Sequence, residues 1–338
     1  MIKKLTRSFS VLALSLFVLG GCGENKTSAD TGSPVQADQE KFVWKLVTSW
    51  PKNFPGLGMA PEKFAKHVNA MSNGRLTVKV YGAGELVPGF EVFDAVSQGT
   101  VQMGHSGAYY WKGKIPASPI FSAIPFGMTA TEFNAWLHYG GGMELWQELY
   151  QPFGIKPLPG GNSGAQFGGW FKKEINSVAD LQGLKMRIPG LAGEVLKSAG
   201  AIPVTLTGGE IFSALQSGAI DATEWVGPYN DLAFGFYQAA DYYYSSVWHE
   251  PGTGLEFLIN QKAFDALPKD LQAIVEVAAN AVNESTLAEY NARNNAALKT
   301  LLEEHKVQLR QFPTEVMQAL QQHTNALITE QVAADKDF

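Results

Sequence analysis

The chain has 338 residues, with 32 acidic and 26 basic side chains, a net charge of −6 and 45 % hydrophobic residues. That apolar share suffices for one large or two medium globular domains. The acidic balance, with no basic run in the body of the chain, argues against nucleic acid as a partner.

Lys3, Lys4 and Arg7 form a basic head, followed by an apolar run from Val11 to Leu19. A lone spanning helix needs roughly 20 apolar residues, so residues 1–21 read as a cleaved export signal. Leu19, Gly20, Gly21 and Cys22 resemble the bacterial lipobox, which implies lipidation at Cys22 and a membrane anchor for the mature protein. Cys22 is the only cysteine. It can form no internal disulfide, and lipidation accounts for a single thiol in an oxidising compartment. Acyl chains contribute about 0.8 kcal/mol per buried CH₂, so several on one Cys hold a protein firmly to a membrane. Residues 22–41 carry no aromatic residue and only one branched aliphatic, Val35. They read as a flexible tether, and the folded part is expected from Phe42.

From there short apolar runs alternate with longer amphipathic ones. Strands are expected at Phe42–Thr48, Leu76–Tyr81 and Gln102–His105, and helices at Met59–Met71, ended by Asn73-Gly74, and Val92–Gln98. This βαβαβ order implies a parallel sheet faced by helices. A second block begins at residue 154, with strands expected at Gly154–Leu158, Gln166–Phe171, Leu184–Arg187, Ile202–Leu206 and Asp221–Val226. Helices are expected there at Leu191–Ala199 and Gly209–Gln216, the latter stopped by Gly218. Two α/β units joined by crossings of the chain make a two-lobed body with a cleft. Asp270–Glu304 carries Leu271, Ile274, Ala278, Val282, Leu287, Leu298, Leu301 and Leu302 at largely helical spacing. Such a helix would run roughly 50 Å, longer than one lobe needs. Thr314–Gln331 follows as a second amphipathic helix after Pro313. One lobe is expected to comprise 42–162 and 251–290, the other 163–250 and 291–338.

The segment Met186–Asp231 contains Arg187-Ile-Pro189, a Gly208-Gly209-Glu210 helix start and Asp221-Ala-Thr-Glu224. In order and spacing it resembles the solute receptors of tripartite ATP-independent periplasmic (TRAP) transporters, and the likeness extends over residues 42–338. It implies an α/β, two-lobed periplasmic-binding-protein-like fold whose long C-terminal helix spans both lobes. It also implies that Arg187 pairs with a ligand carboxylate. A guanidinium is always charged and grips a carboxylate through two parallel hydrogen bonds. Most of the family has Asn after the Glu of the last motif; here it is Trp225. Glu-Trp resembles the branch that binds 2-oxo acids or lactate with a metal cation. In that branch Gln166, Glu224, the carbonyl of Trp225 and Glu250 are implied as the cation site.

Charge supports a cation independently of the resemblance. If Arg187, Glu224, Glu250 and a monocarboxylate converge, negative charge exceeds positive in a closed cleft, and uncompensated buried charge is costly. Na⁺ or Ca²⁺ reduces the excess, and oxygen donors suit either ion. Tyr109 and Tyr110 follow the Gly104–Gly107 strand end, where open α/β sheets place their ligands; Tyr110 fits a phenol that donates to the ligand, and Trp50 lies in the same kind of position beyond the first strand. Trp170, Phe167 and Tyr229 suit the cleft wall or the core equally.

Enzymatic signatures are weak. Gly161-Asn-Ser-Gly-Ala165 lacks the second Gly of a nucleophile elbow, and the six histidines have no zinc-like spacing. No P-loop or dinucleotide fingerprint is present. The expected function is an extracytoplasmic receptor that closes over a small monocarboxylate plus a cation and delivers it to a membrane permease. The alternative is a lipid-anchored hydrolase or lyase using Glu224 and Glu250 as acid and base. Replacing Arg187 by Ala is expected to remove binding with little loss of fold. Pairing into a homodimer is left open.

Overall fold

The structure, a computed structural model, describes residues 40–338. The export signal, Cys22 and nearly all of the tether lie outside the described residues. The strands in chain order are β1 (Phe42–Thr48), β2 (Leu76–Tyr81), β3 (Met103–Ser106), β4 (Ile155–Asn162), β5 (Gly169–Phe171) and β6 (Lys185–Arg187). They continue with β7 (Ile202–Val204), β8 (Ala222–Thr223), β9 (Tyr242–Tyr244), β10 (Gly254–Asn260) and β11 (Gln308–Arg310). They form two sheets, ordered β2-β1-β3-β10-β4 and β11-β9-β5-β8-β6-β7.

The first three strands pair in parallel as the βαβαβ pattern predicts. The fourth does not open a second block. β4 closes the first sheet, antiparallel to β10, which lies between it and β3. The reason is visible in β4 itself: Pro157 and Pro159 cannot donate to a ladder, and an edge strand tolerates them. A register shift at Leu255/Glu256 bends the pair. Gly160 fits there because a Cβ would sit 2.6 Å from the Glu256 carbonyl carbon.

In the second sheet the strands are shorter than expected. Gln166–Phe171 reduces to Gly169–Phe171, Ile202–Leu206 to Ile202–Val204 and Asp221–Val226 to Ala222–Thr223. Among the residues released at these strand ends, Leu206 and Glu224 accept hydrogen bonds from Arg187, and Gln166 and Trp225 line a cavity with it.

The expected long helix is Lys269–Glu303. Leu271, Val275, Ala278, Ala279 and Val282 pack with Trp44, Leu46 and Phe257 of the first sheet. Tyr290 and Leu301 pack with Trp170, Ile211 and Phe236 of the second. One helix thus contributes side chains to both cores. Trp50, Phe54 and Leu57, from the loop after β1, bury in that same second cluster, and Phe54 stacks on Phe234 at 4.3 Å. No helix among the described residues is long and apolar enough to cross a membrane.

β10 brings one carboxylate into the first core. Glu256 is fully buried and accepts from Trp111 Nε1 at 2.5 Å and Tyr150 OH at 3.0 Å. Burial pushes its carboxyl up from 4.5 to about 8, against the pull of those two bonds. The folded protein therefore holds a proton that the unfolded chain gives up near 4.5. Glu256 contributes stability below that value and loses it as pH rises toward 8. Asp231 and Glu250 are shifted in the same sense, so the informative quantity is a difference. Glu256→Gln should flatten the fall in stability across this window relative to the parent, read from denaturant midpoints at a series of pH values.

Candidate functional site

Arg187 ends β6, between Val204 of β7 and Thr223 of β8. Pro189 stops the strand, and Gly190, at φ +68°, starts the helix Gly190–Ser198. A side chain at Gly190 would meet the Cβ of Tyr109 at 3.1 Å, so the Arg-Ile-Pro-Gly run both ends the strand and makes room for a tyrosine. Arg187 is 1 % exposed. Its Nε donates to the Leu206 carbonyl at 3.2 Å, Nη2 to Tyr110 OH at 3.2 Å, and Nη1 to the Glu224 carboxylate and, at 3.4 Å, the Glu224 carbonyl. The guanidinium carbon lies 5.0 Å from the Trp225 ring centre. Burial works against its charge, but Glu224 and the tyrosines raise its pKa further.

Beside this pair lies a cradle of oxygen donors. The Gln166 amide N–H donates to the Glu250 carbonyl at 3.0 Å. Its side-chain Nε2 donates to Ser163 Oγ at 2.9 Å and Thr253 Oγ1 at 3.0 Å. Both amide hydrogens being occupied, Oε1 is directed elsewhere, and it is buried with no hydrogen-bond partner. The Thr253 hydroxyl in turn donates to Glu250 Oε2 at 2.7 Å. Burial, and then the neighbouring Glu224, push the Glu250 carboxyl up to about 7. Glu224, His249 and Glu250 each bring a donor atom within 4.8 Å of the others.

The loop carrying Glu224 and Trp225 is pinned from below. Asp231 Oδ1 accepts from the amides of Val226 at 3.4 Å and Gly227 at 3.2 Å, while Oδ2 accepts from Trp170 Nε1 at 3.0 Å and Tyr243 OH at 2.7 Å. The Trp225 ring fits over Gly208, where a Cβ would approach it to 2.7 Å. This explains the glycine at that helix start.

Of the residues expected to form the site, Arg187, Gln166, Glu224, Trp225, Glu250 and Trp50 are all buried and adjacent. Trp50, Gln166, Arg187 and Trp225 line a cavity of about 10 Å³ together with Tyr109 and Leu57, the room of a single water. Trp50 offers only its ring. Its N–H donates to His105 Nδ1 at 2.8 Å, so His105 Nε2 carries the proton and donates to Gly160 O at 2.9 Å. Burial lowers that histidine to about 4. Tyr110 braces Arg187 from behind, and the tyrosine at the cavity is its neighbour Tyr109. Phe167 and Trp170 pack on Tyr243 as core, and Tyr229 bonds Glu289 of the long helix at 3.0 Å. Tyr109, expected with Tyr110 at the cleft wall, lines the cavity. Sequence reasoning missed Ser163, Thr253, Asp231 and the ring of His249, and adjacency to Glu250 was the only signal for the last. Ser163, in the elbow-like Gly-Asn-Ser-Gly-Ala run, accepts from Gln166.

Residues 46–335 match the model of the bacterial extracellular solute-binding proteins of family 7. The chain belongs to this family. Its likeness to TRAP solute receptors is thereby borne out, and with it the two-sheet α/β fold and a periplasmic location. The chain is 44 % identical over 329 residues, 97 % of its length and 88 % of the relative's, to the monocarboxylate 2-oxoacid-binding periplasmic protein of Nostoc sp.. It is similar in structure, with a TM-score of 0.86 and 48 % identity, to a TRAP periplasmic solute-binding protein of Pseudoalteromonas atlantica with bound sodium and pyruvate. A second such protein, from Colwellia psychrerythraea with bound calcium and pyruvate, aligns with a TM-score of 0.86 and 49 % identity. Each alignment covers 88 % of this chain and 91 % of the other.

The donor set of this family member fits a hard cation: two carboxylates and an amide oxygen that lacks a partner, in a buried pocket. The ion pair also corrects one expectation. Arg187 and Glu224 are both 1 % exposed, so truncating Arg187 strands a buried carboxylate, a change that typically costs about 3–5 kcal/mol. Arg187→Ala should therefore lower stability by that order, and adding Glu224→Gln should restore much of the loss, measured as a double-mutant cycle in denaturant.

Proposed function

We propose that this receptor captures a small monocarboxylate, a 2-oxo acid such as pyruvate foremost and the hydroxy acid lactate next, together with Na⁺ or Ca²⁺, and hands it unchanged to the membrane subunits of a TRAP permease. The observation that carries this reading is a buried, permanently charged Arg187 set beside an oxygen-donor cradle that contains a partnerless Gln166 Oε1. Arg187, with one N–H of Nη2 left beside its bonds to Leu206, Glu224 and Tyr110, meets the solute carboxylate through a charge-assisted hydrogen bond. Gln166, Glu224, the Trp225 carbonyl and Glu250 hold the cation, which neutralises the excess of buried carboxylates and polarises the solute's keto oxygen. Tyr110 steadies the guanidinium. Trp50 and Trp225 form the apolar wall that favours a short carbon chain. The pyruvate, sodium and calcium of the two similar structures support this assignment.

The lobes are residues 42–162 with 251–290 and residues 163–250 with 291–338, and closure over solute and cation is a hinge motion of one on the other. The engagement of Glu224 by Arg187 supports capture without turnover. The mature chain is held to the membrane by acyl chains on Cys22, through the tether to residue 41.

Calorimetry with pyruvate should show stoichiometric binding that weakens at least about tenfold once the protein is freed of Na⁺ and Ca²⁺. Pyruvate should be recovered unchanged by NMR. Turnover of the solute would favour the hydrolase or lyase reading instead. For the anchor, Cys22→Ala should move the exported protein from the membrane fraction to the soluble one.

A further inference from the structure

His249 is 1 % exposed, and neither ring nitrogen has a hydrogen-bond partner. Leaving such a group unpaired costs about 1–3 kcal/mol. The next residue is Glu250, and the ring lies against Glu224, with Nε2 at 3.5 Å from its Oε2. The three side chains present donor atoms within 4.8 Å of one another, a separation that one ion can bridge. Gln166, whose Oε1 is buried without a partner, is bonded through its main-chain N–H to the Glu250 carbonyl at 3.0 Å. An imidazole nitrogen contributes little to a group-1 or group-2 cation, which is satisfied by oxygen, whereas it is a preferred donor for zinc, cobalt and nickel.

We propose that His249 is a nitrogen donor of the cation site, through Nε2, and that it enables the site to take a divalent first-row transition metal in place of Na⁺ or Ca²⁺. The inference rests on the cation-site reading above and deepens it. A site of mixed N and O donors has different ion selectivity from one built of oxygen alone. The occupying ion would then follow metal availability as well as affinity. Neutral imidazole adds no charge, so the balance of Arg187, Glu224, Glu250 and a solute carboxylate is compensated by any divalent ion as it is by Ca²⁺.

The test uses the metal-stripped full protein, with pyruvate present, titrated separately with Ca²⁺, Zn²⁺ and Co²⁺ by calorimetry. Visible absorption follows Co²⁺, and ¹⁵N NMR of labelled histidines follows Zn²⁺. In the parent protein Zn²⁺ should shift the His249 ring nitrogen resonance and Co²⁺ should develop a ligand-field band. His249→Gln, close in size and able to offer an oxygen, should lose at least about tenfold in Zn²⁺ and Co²⁺ affinity and lose the imidazole signature. Its Ca²⁺ affinity should stay within about threefold, which also reports an intact fold; His249→Asn gives a second, smaller replacement. Equal Zn²⁺ and Co²⁺ affinity in parent and both variants, or Ca²⁺ binding with no Zn²⁺ or Co²⁺ binding in the parent, would overturn the role of His249. Failure of every ion to bind the parent would overturn the cation site itself.

Discussion

The second sheet is organised around a salt bridge removed from water. Arg187 and Glu224 meet at the ends of neighbouring parallel strands, and a buried pair of this kind persists only when its remaining donors and acceptors are met. The Leu206 carbonyl, the Glu224 carbonyl and Tyr110 satisfy the guanidinium. To supply the two carbonyls, β7 and β8 break off after Val204 and Thr223. The short strands, the Gly208 and Gly190 contacts and the Asp231 clamp under the loop all follow from holding this pair in place.

The candidate cation donors have a different origin. Gln166 lies on the crossing from β4 to β5, and Glu250 and Thr253 on the crossing from β9 to β10. The two crossings are bonded to each other, Ser163 N–H to the Thr253 carbonyl at 3.0 Å and Gln166 N–H to the Glu250 carbonyl at 3.0 Å. An ion held by Gln166 and Glu250 would therefore act on the segments that join the two sheets. In the proposed mechanism, solute and ion report on closure through separate parts of the chain.

Elements whose pattern is local were legible in the sequence. Met59–Met71, Leu76–Tyr81 and the long helix fall within a residue of their expected bounds, because each buries a stripe of its own residues at a regular period. The insertion of β10 beside β3 was not legible, since its partners lie about 150 and 100 residues earlier in the chain. Within the site, Arg187, Glu224, Gln166 and Glu250 were indicated by the likeness to a family; spacing alone left Glu224 a turn carboxylate. The two tyrosines expected at the cleft wall divide: Tyr109 lines the cavity, and Tyr110 OH accepts from Arg187. Adjacent residues on a single-turn 3₁₀ segment point in different directions, and only the packing of Gly107 and Gly190 against the first ring decides which faces inward. Ser163, Thr253 and Asp231 act through hydrogen bonds that no local pattern encodes.

The place of β10 also bears on how the chain reaches its native state. β3 and β4 cannot be joined into one sheet until residues 254–260 are available to lie between them. The second sheet likewise waits for β11, beyond the 35-residue helix. Pairings so distant in sequence make for slow folding, because loop-closure entropy must be overcome before contacts offset it. This topology withholds the first sheet until Asn260 and the second until Arg310 of the 338 residues have emerged.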